Sequence, residues 1–180
     1  MSELASPGAE GKAVWQGEFL EMHVAPWGSA GRWEYVKRVR GIEAAVILAL
    51  TDTGEMVLVE QYRPALGKPC IELPAGLVGD GARGESAFTS ARRELHEETG
   101  FAAAQWESIG EFASSPGIVG EIFHFYRATG LVRTGPGGGT AGEGITPHIV
   151  PLGDVPAFLE AARARGCAID TRLLIGLALV

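Results

Sequence analysis

The chain has no uninterrupted apolar stretch of about 18 residues, so nothing in it reads as a membrane-spanning helix. Cysteine is scarce. Cys70 and Cys167 stand far apart among 180 residues, and they are read as two free thiols rather than a disulfide framework. A surplus of positive charge is also missing. With 15 lysines and arginines against 22 acidic residues, the formal charge is −7. Such a chain is a poor generic binder of nucleic acid or of an anionic membrane. The start lacks the basic residues and apolar middle of a signal peptide. Residues 1–12 are small, polar and Gly/Pro-bearing, and are expected to form a disordered tail on a cytoplasmic protein. A small phosphate ligand stays open to so acidic a chain, but only through a local device such as a metal ion or a few arginines.

What is present suffices for a core, since 46% of the residues are hydrophobic. Residues 13–40 are loosely strand-like and are broken by Pro26, Gly28 and Gly31, which suggests a hairpin-like β appendage. The apolar run at 44–50, the turn Thr51-Asp52-Thr53-Gly54 and a second strand from Met56 read as a hairpin. Further strands are expected at 71–73, 106–112, 122–129 and 145–152. Residues 85–99 form the clearest helix: Phe88, Ala91 and Leu95 share one side, and Gly100 follows as a left-handed cap. Asp154 and Asp170 are placed to cap two more helices, over 155–165 and from Asp170 to about Val180. The glycine-rich span 134–144 is expected to hold no regular structure and to be a mobile loop. Strands and helices mix without strict alternation, so the fold class is α+β, with residues 41–180 as the main domain.

The chemistry concentrates at Arg93-Glu94-Leu95-His96-Glu97-Glu98-Thr99-Gly100. Glu94 and Glu98 lie one helical turn apart on one face, with Glu97 beside them. Like charges so placed destabilise a surface helix by roughly 0.3 kcal/mol per pair. The nearby cations are Arg92 and Arg93. Taken without context, the cluster reads first as a solvated acidic face. The alternative is a hard divalent cation, Mg²⁺ with Mn²⁺ as a substitute, which prefers oxygen ligands and bridges phosphate oxygens. Trp27, Trp33 and Tyr35 are open to two readings, stacking on a base or packing an interface.

Context changes the balance. Gly79, five residues, Glu85, seven residues, Arg93-Glu94-Leu95, one residue, Glu97-Glu98, one residue and Gly100-Phe101 together resemble the complete signature of the Nudix hydrolase family. The resemblance continues outside the box, over roughly residues 33–180. Glu72-Leu73-Pro74-Ala75-Gly76, Gln61-Tyr62-Arg63, Ser115-Pro116-Gly117 with its proline 16 residues past Gly100, Glu121, and Glu143 with Ile145 and His148 are similar to segments of the ADP-ribose pyrophosphatase-like subfamily. Two features depart from it. Gly76 and Gly79 are separate residues here, where the subfamily merges them, and Gly76 is favoured as the equivalent. The late loop carries one acidic residue, Glu143, where relatives often carry two.

The resemblance implies a Nudix-type α/β/α sandwich with a mixed sheet, and Mg²⁺-dependent hydrolysis of the diphosphate of a nucleotide sugar. ADP-ribose, giving AMP and ribose 5-phosphate, is the leading substrate. The alternatives are another nucleotide sugar such as GDP-mannose, or a non-catalytic nucleotide sensor. It implies metal ligands at Glu94, Glu98, Glu85 and the backbone carbonyl of Ala75. Glu97 and Glu143 are the candidates for the general base, and Arg93 is expected to orient Glu85 or Glu97. Arg63, Glu121 and Trp33 are the candidate substrate contacts. A homodimer joined in part through residues 13–40 is also implied.

Overall fold

The N-terminal segment is broken at Gly28–Ala30, between strands, while Pro26 lies inside a strand opposite Arg32, and three strands result rather than one hairpin. The computed structural model describes residues 11–180 apart from 81 and 83. Residues 1–10 of the expected tail therefore lie outside the described residues, and Lys12 already opens a strand. By their contacts the described residues divide into two units.

The first unit contains the chain up to Glu43 together with Glu111–Phe123. Its strands β1 (Lys12–Gln16), β2 (Leu20–Trp27) and β3 (Gly31–Arg38) run antiparallel, with Lys12 opposite Val24 and Met22 opposite Val36. Gly31, at φ 106°, makes the β2–β3 connection in a conformation that favours glycine. Val36 pairs in parallel with Val119. Trp15, Phe19, Trp27 and Trp33 are all exposed in the single chain.

The second unit contains Ala44–Gly110 and His124–Val180. β4 (Ala44–Leu50) and β5 (Glu55–Arg63) form the expected hairpin, with Ala49 opposite Val57 and Gly54 at φ 81° in the turn. β6 (Lys68–Glu72) pairs antiparallel with β5, and β7 (Ala75–Leu77) pairs antiparallel with β4. The helix α1 (Ala87–Thr99) follows. β8 (Phe101–Ser115) and β9 (Val119–Arg133) are 15-residue strands, longer at both ends than the sequence pattern indicates. The added residues, such as Ala102–Ala104 in β8 and Gly130 in β9, carry no clear alternation of apolar and polar side chains. β10 (Thr146–Pro151) adds antiparallel to β5, α2 (Val155–Ala164) follows, β11 (Ala168–Ile169) adds parallel to β6, and α3 (Thr171–Leu177) ends the order. The sheet is mixed and the class is α+β.

β4 has no polar side chain because both its faces are covered. Ala45, Ile47 and Ala49 on one face pack in a cluster with Ala91 and Leu95 of α1, Phe101 and Ala128. On the other face, a Cβ at Gly176 of α3 would stand 3.3 Å from both Leu48 and Leu73. Helix, sheet and helix thus form the expected sandwich. Each fully buried Ile47 or Leu95 contributes about 1.5–3 kcal/mol.

Of the two expected caps, Asp170 performs as one: its carboxylate accepts from the Arg172 amide at 2.7 Å. Asp154 makes no side-chain cap. Its backbone is already helical, φ −96° and ψ −10°, inside a short 3₁₀ turn, whereas a capping side chain needs an extended backbone. α3 also stops at Leu177, short of the expected end. Cys70 and Cys167 are free and buried. Burial, reinforced by the charge of Glu72, pushes the Cys70 thiol up to about 12.

Candidate functional site

The acidic cluster is built on α1, so its placement depends on how that helix starts, ends and packs. Ser86 caps the start by accepting from the Thr89 amide at 3.1 Å. Gly100, at φ 76°, closes the end, its amide donating to the His96 carbonyl at 2.8 Å. Between them Ala91 and Leu95 seat the helix on the sheet, which turns Glu94 and Glu98 toward β7.

Gly76 of β7 lies hard against Glu94. A Cβ added there would meet the Glu94 carboxyl at 1.9 Å, so glycine alone fits. A Cβ on Gly79 would have no neighbour nearer than 4.0 Å, and that residue is a turn glycine at φ 94°. The close approach therefore falls on Gly76, the residue favoured from sequence. Its neighbour Ala75 donates its amide to Glu98 Oε2 at 3.0 Å.

The electrostatics are those of a crowded, partly dry anion cluster. Glu94 and Glu98 are buried, with 9% and 5% of their surface exposed. Burial pushes the Glu98 carboxyl up to about 8, with Glu94 adding to the shift and the Ala75 amide opposing it. Burial also raises Glu94, against the pull of Arg93. Arg93 is the hub. Its guanidinium reaches Glu85 at 3.2 Å, Glu94 at 2.8 Å and Glu97 at 2.9 Å, so it contacts both carboxylates it was expected to orient. Burial works to lower its pKa, but the bonds to these glutamates outweigh burial and the net shift is upward. Glu85 moves the other way: the bond from Arg93 holds its carboxyl below the usual range.

Arg63 spends two nitrogens on Glu72, at 2.5 and 2.7 Å. Glu72 is only 2% exposed and is shared with Arg172, which also bonds Asp170. This ion network at the β5–β6 ends occupies Nε and one terminal nitrogen of Arg63. Arg63 and Glu98 also interact electrostatically.

The span 134–144 has no helix or strand, as expected, but its first part is not loose. Thr134 and Gly135 donate to the Gly100 carbonyl at 2.8 and 3.0 Å, Gly138 to Glu98 at 2.8 Å and Gly139 to Glu97 at 2.9 Å. The last carbonyls of a helix have no intrahelical donors, and these amides supply them. Glycine is required for the approach, since a Cβ on Gly137 would stand 2.5 Å from the Thr99 carbonyl carbon. Composition alone suggested entropy; the docking partner was invisible to it. Glu143 is exposed, accepts from the Thr140 amide at 2.5 Å, and adds to the repulsion felt by Glu94 and Glu98.

Two candidates belong to the first unit. Glu121 accepts from Arg38 Nε at 2.6 Å, and Trp33 packs on Trp27 with ring centroids 5.1 Å apart. The cluster described above comes from the second unit alone. Sequence reasoning missed Ser90, which is fully buried and donates to Glu85 Oε2 at 2.8 Å. Its only signal was a hydroxyl on the inward side of an otherwise alanine-and-leucine helix face.

Among the described residues, no three carboxylates, imidazoles or thiols converge closely enough to hold an ion as they stand. The donor chemistry nevertheless fits one. Glu94 and Glu98 are neighbouring hard oxygen donors, each disfavoured by burial and by the other carboxylates around it, and the missing side chain of Gly76 is what lets the Glu94 carboxyl lie against β7.

The NUDIX domain model matches residues 40–166, and the chain belongs to the Nudix family. It is 35% identical over 122 residues to the ADP-ribose pyrophosphatase of Bacillus subtilis, covering 66% of this chain and 63% of that one. It is 33% identical over 156 residues to the mouse ADP-sugar pyrophosphatase, covering 79% and 70%. A third relative, the methanol dehydrogenase activator of Bacillus methanolicus, is 43% identical over 95 residues, with 53% of this chain and 50% of that one aligned. The chain thus spans about half to two thirds of the length of the first curated relatives it matches. A crystal structure of an ADP compounds hydrolase superposes with a TM-score of 0.68 over 88% of this chain and 86% of that one, at 21% identity, which speaks to the fold.

Proposed function

We propose that the protein is a Mg²⁺-dependent hydrolase of nucleotide sugars, with ADP-ribose cleaved to AMP and ribose 5-phosphate. The observation that carries this reading is the Glu94–Glu98 pair, buried against Gly76 and Ala75 with charge left to neutralise. The relatives named for ADP-ribose and ADP-sugars support the substrate class.

Glu94, Glu98 and the Ala75 carbonyl would hold the ion, with Glu85 as a further ligand. Bound there, Mg²⁺ would neutralise the diphosphate and make water acidic enough to act as a nucleophile near neutral pH. Arg93 holds Glu85, Glu94 and Glu97 in place by bonding all three. Glu97 or Glu143 removes the proton from the attacking water. Glu143 is the better placed to arrive late, since it sits on the short stretch beyond the docked glycines. Arg63, Glu121 and Trp33 are proposed contacts to substrate, Arg63 through the donors that Glu72 does not occupy. In a purified preparation supplied with Mg²⁺, ADP-ribose is expected to be turned over faster than GDP-mannose. A reversed order in a matched panel would move the substrate within the class, and absence of hydrolysis on all of them would leave a nucleotide sensor.

The exposed Trp15, Phe19, Trp27 and Trp33 support a homodimer formed in part by residues 13–40. Light scattering at micromolar concentration should give twice the monomer mass, and a monomer would contradict it. Two buried free thiols support a reducing, cytoplasmic location. Among the described residues no helix is long and apolar enough to cross a membrane.

A further inference from the structure

Glu85 precedes the first residue of α1, so no helical backbone bond fixes its side chain. Its carboxylate is nevertheless almost wholly enclosed, with 6% of the side chain exposed. Its direction is set by Arg93 Nε to Oε1 at 3.2 Å, Arg93 Nη2 to Oε2 at 3.3 Å and Ser90 Oγ to Oε2 at 2.8 Å, together with a bond from the Gly79 amide. The shortest of the side-chain bonds comes from the one residue of the three that is completely buried.

Ser90 has one hydroxyl hydrogen and two acceptors within reach, Glu85 at 2.8 Å and the Leu77 carbonyl at 3.4 Å. Both are acceptors, and the carboxylate is nearer and carries the charge, so the proton goes to Glu85, and Arg93 Nη2 at 3.4 Å is left to serve Leu77. Ser90 is carried on the first full turns of a capped helix, with its own amide bonded to Ser86. The hydroxyl is therefore a rigid reference point, while Arg93 is divided among Glu85, Glu94, Glu97 and Leu77.

We infer that Ser90 is a positioning residue of the acidic centre, holding Glu85 so that Arg93 stays free to serve Glu94 and Glu97. The inference rests on the proposal that these glutamates form the metal centre. Without the hydroxyl, Glu85 loses the shortest of its side-chain bonds, and a buried carboxylate short of a donor draws the guanidinium toward itself. Arg93 is then drawn from Glu94 and Glu97, and the carboxylates that meet the ion lose their alignment. Removing partners of this kind lowers metal affinity or activity by 10–100-fold in known sites.

The test is a double-mutant cycle on the full chain with Ser90→Ala, Glu85→Gln and the pair, read by Mn²⁺ titration of the metal-free protein and by kcat and KM at saturating metal. Alanine is a better helix former than serine, so the serine variant folds, and a melting curve checks it. Ser90→Ala is expected to weaken Mn²⁺ binding by about tenfold and to lower kcat with little change in KM. In the Glu85→Gln background the same change should add almost nothing. Wild-type Mn²⁺ affinity in Ser90→Ala, alongside a clear loss in Glu85→Gln, would overturn the inference and leave the metal centre standing. A full additional loss in the Glu85→Gln background would also overturn it, because Ser90 would then act through packing. Normal Mn²⁺ binding by Glu85→Gln would remove the reading of Glu85 at the centre, and the inference with it.

Discussion

Glu98→Gln is expected to lower kcat by about 10²-fold or more while leaving the metal-free fold at least as stable. The amide is nearly isosteric, and its oxygen can still accept from the Ala75 amide that bonds Glu98 at 3.0 Å. What disappears is a negative charge in a dry, repulsive setting. The folded carboxyl is pushed up to about 8, so the fold disfavours its ionised form. Stability linked to this group is present at low pH and is lost as pH rises from the ordinary carboxylate range toward about 8. The variant should lack that decline. Metal needs the ionised form, so Mg²⁺ affinity of the wild type should rise with pH across the same window. Melting curves in EDTA between about pH 5 and about pH 8, with kcat in Mg²⁺, read both effects. Normal turnover would remove Glu98 from the essential ligands.

Gly76→Ala should be almost as damaging, by another route. The new Cβ would stand 1.9 Å from the Glu94 carboxyl and 2.5 Å from its Cγ, so the carboxylate must move. Burial leaves it little room, and Arg93 holds it at 2.8 Å. A loss approaching 10²-fold in kcat/KM is expected, with weaker metal binding. Gly79→Ala is the control. Its Cβ would stand 4.0 Å from its nearest neighbour, the Ala82 carbonyl, and would not meet Glu94; its φ of 94° costs about 1–2 kcal/mol of stability, and because the Gly79 amide bonds Glu85 a smaller loss of activity is expected than in Gly76→Ala. Loss of activity in Gly79→Ala with normal activity in Gly76→Ala would reverse the assignment.

The two glycines also show how far the sequence could be read. Spacing alone put both at the start of the box, and only the distance to Glu94 separates them. The helix, its Gly100 cap and the β4–β5 hairpin were legible because each carries a local signal: a period, a left-handed glycine, a turn. Asp154 was misread because a capping residue type says nothing of whether its backbone is extended. Residues 134–139 were misread for a related reason. Glycine signals backbone freedom, and here that freedom is used to approach the end of α1 rather than to move. Arg93 was expected to orient Glu85 or Glu97, and its further bond to Glu94 was not foreseen. Ser90 and the Arg63–Glu72–Arg172 network were not, since both join residues on different elements whose contact no period records.

The central claim is that the carboxylates of α1 make this chain a metal-dependent diphosphate hydrolase. It is tested most directly by incubating the pure protein with ADP-ribose in Mg²⁺ and, separately, after exhaustive chelation, and resolving the products by phosphorus NMR. The account predicts AMP and ribose 5-phosphate in Mg²⁺, none after chelation, and recovery when Mg²⁺ returns. Undiminished cleavage in the chelated sample would contradict it.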